Sequence, residues 1–230
     1  STGQSSCIDS SAGYYVSSTA STTQTACILG TYQDSSGQSG CTDASAGYYV
    51  DTIASTTQTA CAVGTYQANT GQSSCIDADT GYYVDTTAST TQTACPAGTY
   101  NPNTASISYS ACIDVDAGYY TSSSGSASQI ACSLGTYQPT AGQTSCIDAS
   151  AGYYVDLTAS TNQWTCTAGT YQPSTGQSSC IDASAGYYVD TTASVTQTAC
   201  AAGTYQPSTG QSSCTDASAG YYVPSTGSAT

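Results

Sequence analysis

Thirteen cysteines are the most reactive side chains in this 230-residue sequence, and their spacing decides what chemistry they do. They fall at positions 7, 27, 41, 61, 75, 95, 112, 132, 146, 166, 180, 200 and 214. The gaps alternate 20 and 14, with a single 17 between Cys95 and Cys112. Structural zinc takes ligands from short C-x2-4-C pairs, and no such pair occurs. Wide, regular spacing reads instead as disulfides, which form and persist in an oxidising compartment. The expected location is extracellular or at a cell surface.

Other residue types narrow the chemistry further. Roughly a third of the chain is Ser or Thr, well above the usual share. A hydroxyl becomes a nucleophile only beside a base, and the sequence has no His, Lys, Arg or Glu. No enzyme is expected. Fourteen Asp and no cation give a net charge of −14. Phosphate binding needs Lys or Arg to displace counterions, so nucleic acid is excluded as a partner. Anionic lipid surfaces are excluded on the same ground. No apolar run is long enough to insert directly into a membrane. Neither a leader nor an initiator Met is present, and the expectation is that a directing segment lies outside these residues.

Carboxylates recur on a fixed beat. Asp43, Asp77 and Asp182 stand two residues after a cysteine, and Asp51, Asp85 and Asp190 follow G-Y-Y-V. As oxygen ligands these six are the candidate calcium residues. The competing reading, which we favour, has the first set accepting backbone N–H bonds in the turn before the G-Y-Y run. No metal or cofactor is therefore expected, with calcium as the one alternative.

These residues are carried by a repeat. The cysteine gaps of 20 and 14 define a 34-residue period. The units read as 27–60, 61–94, 95–131 with a three-residue insertion, 132–165 and 166–199, with partial units 1–26 and 200–230. Each unit divides into two 17-residue halves. Gly30, Gly47 and Gly64 open G-x-Y triplets 17 apart. Overlaying the halves sets Cys27 on Ala44 and Cys41 on Gln58. The second half lacks both cysteines together, as expected of bonded partners. The favoured pairs are Cys27–Cys41, Cys61–Cys75, Cys95–Cys112, Cys132–Cys146, Cys166–Cys180 and Cys200–Cys214, leaving Cys7 unpaired within these residues, its partner expected 14 residues upstream of it. The rival register joins 7–27, 41–61 and 75–95 and onward, and connectivity stays open here.

The phrase C-x2-G-T-Y…C, from Cys27 to Cys41 and from Cys61 to Cys75, resembles the ephrin-receptor-like and tumour-necrosis-factor-receptor-like cysteine-rich modules, arrays of which occur in large microbial surface proteins. Their hallmark C-x2-C-x2-G-x-Y survives in part: Cys180-Ile-Asp-Ala183 carries Ala183 where the second cysteine is expected. Ala44, Ala78, Val115, Ala149 and Ala217 stand in the same place. The resemblance implies an extended rod of small β modules with sequential disulfides.

Local composition agrees with an all-β, disulfide-rich tandem repeat, an elongated rod of short β-hairpin modules. Thr-Tyr and Tyr-Tyr-Val suit pleated backbone, Pro-Ser-Thr-Gly suits turns, and no 3.6-residue apolar period appears. A β-solenoid with one coil per half is the alternative. With no Phe and a single Trp, tyrosine rings are expected to stack into a thin spine. Trp164 reads as a local contact. Dense Ser/Thr near Pro suggests O-glycans, with Thr22, Thr23, Thr56, Thr57, Thr90, Thr91, Thr175 and Thr209 as candidate sites. The functional expectation is a structural component of an extracellular fibre or cell-surface stalk, partnered by copies of itself or a continuation of the array. The alternative is an adhesin or receptor-like ectodomain, with the insertion around Ile107 and Tyr109 as its candidate face.

Overall fold

A computed structural model describes residues 8–230, so Cys7 and the expectation placed on it lie outside the described residues. The regular structure consists of two-residue strands paired antiparallel within each 17-residue half. In the half opened by Gly30, Thr31 faces Asp43 and Tyr32 faces Thr42. In the half opened by Gly47, Tyr48 faces Ala60 and Tyr49 faces Thr59. The same two registers recur, with Thr170 opposite Asp182 and Tyr187 opposite Ala199. Antiparallel pairing inside each half overturns the β-solenoid alternative, which requires parallel ladders between coils. The insertion adds one turn of 3-10 helix, Tyr109–Ala111. No α-helix occurs among the described residues, and none is long and apolar enough to cross a membrane.

Each hairpin begins at a glycine for two physical reasons. The amide of Thr31 donates to the Ile28 carbonyl at 3.1 Å, and that of Tyr48 to Ser45 at 3.0 Å. These turns hold Gly30 and Gly47 at φ of 80° and 83°, a region open to glycine without steric cost. Space makes the same demand. A Cβ on Gly30 would run into the Gly71 carbonyl oxygen, and one on Gly47 into that of Ala88. Each glycine is thus pressed against backbone 41 residues downstream, two halves further on.

Between adjacent halves the bonding is backbone to backbone. Gly30 N–H donates to Val50 at 2.8 Å, Gln33 N–H to Ser55 at 3.0 Å, and Ala54 N–H returns to Cys27 at 2.8 Å. Seventeen residues later the set repeats: Gly47 to Gln67 at 2.7 Å, Val50 to Gln72 at 3.0 Å, and Gly71 to Ala44 at 2.8 Å. The half is therefore the structural period, and the 34-residue unit is a chemical alternation laid over it.

The chain divides into two compact units. One takes in the chain up to Pro96 with Tyr100–Ile113 and Ser124–Ser128, and the other Ala97–Thr99, Asp114–Ser123 and Gln129–Thr230. The bonding pattern just given belongs to the first. The second has it too, with Gly152 to Gln172 at 2.7 Å, Val155 to Gln177 at 3.0 Å and Gly176 to Ala149 at 2.8 Å.

The core is thin and built from small groups. Cys27, Ala44, Cys61, Ala78, Cys95, Val115, Cys132, Ala149, Cys166, Ala183 and Cys200 are fully buried at one equivalent position. A second position alternates a buried amide with an apolar group: Gln33, then Val50, then Gln67, then Val84. The tyrosines of the strands are half-buried instead. Their expected stacking into a spine is not what holds the fold. Among the described residues one ring pair occurs, Tyr83 with Tyr109, edge to face at 6.2 Å. The reason is spacing: glycine-to-carbonyl contacts bring backbones too close for rings to lie between them, so the rings move to the flanks.

Candidate functional site

The cysteines occupy every other half. Bridges join Cys27 to Cys41, Cys61 to Cys75, Cys132 to Cys146, Cys166 to Cys180 and Cys200 to Cys214 across 14 residues. Cys95 and Cys112 are joined across 17. In the first of these bridges the α-carbons lie 5.8 Å apart, within the range a disulfide spans. One sulfur of each pair sits in the buried position and its partner is half-buried, with Cys27 and Cys41 the pattern.

In the intervening halves a glutamine stands where the second cysteine would be. Gln58 Oε1 accepts from Ser45 N–H at 2.6 Å, and Ser45 directly follows the buried Ala44. Gln24, Gln92, Gln129, Gln163 and Gln197 make the same bond, to Ser11, Asp79, Asp116, Ser150 and Ser184. In four halves the amide also donates: Gln92 Nε2 to Asp79 Oδ2 at 2.6 Å, Gln129 Nε2 to Asp116 Oδ2 at 2.8 Å, and Gln163 and Gln197 to the hydroxyls of Ser150 and Ser184 at 3.4 and 3.3 Å. A covalent clip thus alternates with a hydrogen-bonded one. The cysteine halves hold a second, buried glutamine. Gln67 Nε2 donates to the Ser74 carbonyl at 2.8 Å, and its Oε1 accepts from Asn69 N–H at 3.1 Å.

The unit with the insertion solves the same problem differently. Asn101 replaces that glutamine, is fully buried, and donates through Nδ2 to Tyr82 O and Ser106 Oγ, both at 2.9 Å. Thr121 replaces the valine and satisfies its hydroxyl by donating to Thr99 O at 3.1 Å while accepting from Gly98 N–H at 2.9 Å. No buried side-chain polar atom among the described residues is left without a partner.

Among the acidic residues, Asp43, Asp51, Asp77, Asp85, Asp182 and Asp190 are all exposed. Asp43 lies against Gly71, and Asp182 against Gly210. None of these carboxylates holds the turn before G-Y-Y, which corrects the favoured reading: the glutamine clip does that work. Among the described residues no three His, Cys, Asp or Glu come together as a metal would need. Thr22, Thr23, Thr56, Thr57, Thr90, Thr91, Thr175 and Thr209 are exposed, in the turns of their halves. Ile107 and Tyr109 of the insertion are also exposed, with Tyr109 meeting the edge of Tyr83. Trp164 is 53% exposed and forms no ring pair among the described residues.

The glutamine clip escaped sequence reasoning, although a signal was present. Within the T-T-Q-T stretches the neighbouring residue varies from Thr to Ile130 to Trp164, while the glutamine never changes.

Hairpins of two-residue strands, one disulfide per 34 residues and a glycine at each turn define a class, the small all-β cysteine-rich repeat. Residues 118–166 match the family model described as tyrosine-protein kinase ephrin type A/B receptor-like. With its six regular bridges in tandem repeats, the chain fits an ephrin-receptor-like cysteine-rich repeat array. No curated protein matches the chain. The matched model is a repeat of receptor-ectodomain type and not a catalytic domain, and with the disulfides it indicates an extracellular domain.

Proposed function

We propose that the chain is a structural component of an extracellular fibre or cell-surface stalk, a disulfide-stapled repeat carrying O-linked sugars. One observation supports this reading above others. Each half offers the next the same three backbone hydrogen bonds, so a single contact pattern propagates along the described residues. Repeat arrays of this kind gain stability by summing nearest-neighbour terms. Partners in this reading are further copies or a continuation of the array, and the units are 27–60, 61–94, 95–131, 132–165 and 166–199, with 1–26 and 200–230 as parts. The exposed threonines support sugar attachment by being accessible.

A second reading, an adhesin or receptor-like ectodomain, draws on the receptor-like description of the matched family. Electron microscopy of the native material separates the two. Long unbranched filaments are expected of the first reading, and monodisperse particles would replace it with the second. Intact-mass measurement before and after β-elimination tests the sugars, with loss of mass from peptides holding Thr56, Thr57 or Thr175 expected. For calcium at Asp43, Asp51, Asp77, Asp85, Asp182 and Asp190, melting with and without a chelator is expected to coincide.

A further inference from the structure

We propose that Tyr83 and Tyr109 form a site of oxidative phenol coupling, at which a secreted haem peroxidase using hydrogen peroxide joins the two rings as dityrosine. The inference stands whichever role the array has. Both rings lie in one compact unit, edge to face with centroids 6.2 Å apart, and they are the only ring pair among the described residues. Tyr109 is 57% exposed and Tyr83 is half-buried, so an enzyme-borne oxidant meets Tyr109 first.

The pair exists because of the insertion. Sibling units place two small residues before the second cysteine of their bridge, as in Ser73-Ser74 and Ser178-Ser179. The 95–131 unit has Ile107 to Ala111 there, and the segment turns back as the 3-10 turn Tyr109–Ala111. Backbone bonds fix both rings from below. Cys112 N–H donates to Tyr109 O at 2.9 Å, and Cys112 is itself bridged to Cys95. The same unit is tied to both chain neighbours of Tyr83: Asn101 Nδ2 donates to Tyr82 O at 2.9 Å, and Val84 N–H donates to Ser106 O at 2.9 Å. The chain's largest departure from its repeat thus brings a new phenol onto an existing one and holds it there.

The coupling needs only the two phenols and peroxide. The peroxidase takes one electron and one proton from each phenol and reduces one hydrogen peroxide to two waters. The two phenoxyl radicals then form a carbon–carbon bond between ring positions ortho to the oxygens. Each bonded carbon releases its hydrogen as a proton and each oxygen takes one up, which restores both hydroxyls. Radicals held in contact meet each other sooner than they meet another chain. Tyr221 and Tyr222 are also exposed but belong to no ring pair among the described residues. The product has a distinct structural effect. Cys61–Cys75 and Cys95–Cys112 each close a single half, whereas this bond joins residues 26 apart in consecutive units. Like a disulfide it restricts the unfolded chain, but thiols do not reverse it.

The test treats the dilute full chain, disulfides intact, with a haem peroxidase and limiting hydrogen peroxide, beside free tyrosine as a positive control. Dityrosine emission is expected from chain that keeps its monomer mass less two hydrogens. After reduction and cleavage at aspartate, fragmentation should place more than half of the coupled tyrosine at Tyr83 with Tyr109. Tyr109→Phe and Tyr83→Phe keep both rings and their packing but remove one phenol, so each should lose this link and most of the emission. A contact serving packing alone would instead leave the wild-type chain no more reactive here than elsewhere. Links spread over the repeat tyrosines, coupling mainly between chains, emission unchanged in both variants, or no dityrosine where free tyrosine couples would each overturn the proposal.

Discussion

The half from Cys27 to Asp43 and the half from Ala44 to Ala60 share one backbone and differ in how each is closed. Both hairpins pair at the same separation, both open on a glycine at positive φ, and both pass the same three amide bonds onward. The first is closed by the Cys27–Cys41 bridge, the second by Gln58 reaching Ser45 N–H. A disulfide across 14 residues stabilises by about 3 kcal/mol, a single hydrogen bond by about 1 kcal/mol. Two clips of such unequal strength maintain the same geometry. The contrast teaches that local closure does not set the shape of a half; its neighbours do.

Reduction and alkylation of all six bridges has the largest expected effect, since each contributes about 3 kcal/mol and the small core holds little in reserve. Circular dichroism should then show no cooperative melting. The glutamine-closed halves should lose amide protection together with the cysteine halves; survival of either type alone would break the comparison. Next come Gly30→Ala and Gly47→Ala, one in each kind of half. Both add a Cβ against a backbone oxygen and force a side chain to positive φ, at a cost of about 2–5 kcal/mol. Equal destabilisation in thermal unfolding is expected, because the packing around both is the same.

The exchange of one clip for the other sharpens the comparison further. Cys61→Ala with Cys75→Gln writes the glutamine solution into a cysteine half. It should lose about 3 kcal/mol of bridge and recover about 1 kcal/mol relative to Cys61→Ala with Cys75→Ala. No recovery would mean that the glutamine needs something the cysteine half lacks. The smallest effect is expected of Gln58→Ala, about 1 kcal/mol, read as faster exchange at the Ser45 amide with little change in the remaining halves.

Much of this fold was legible in the sequence because period and chemistry coincide. Gly30, Gly47 and Gly64 mark the 17-residue beat, and Ala44 falls on Cys27 in both the alignment and the buried core. The all-β class followed from Thr-Tyr and Tyr-Tyr-Val runs bounded by turn residues. Other features were hidden for physical reasons. A glutamine in a polar stretch looks like any solvated side chain, and only its bond to an amide 13 residues away gives Gln58 its role. The tyrosine spine failed because ring size was weighed without the backbone spacing that glycine contacts impose.

Non-reducing peptide mapping by mass spectrometry tests the central claim most directly, namely that sulfur closes every other half and glutamine the rest. The account predicts linked peptides containing Cys61 with Cys75 and Cys166 with Cys180. Peptides joining Cys41 to Cys61, across the glutamine-closed half, would contradict it.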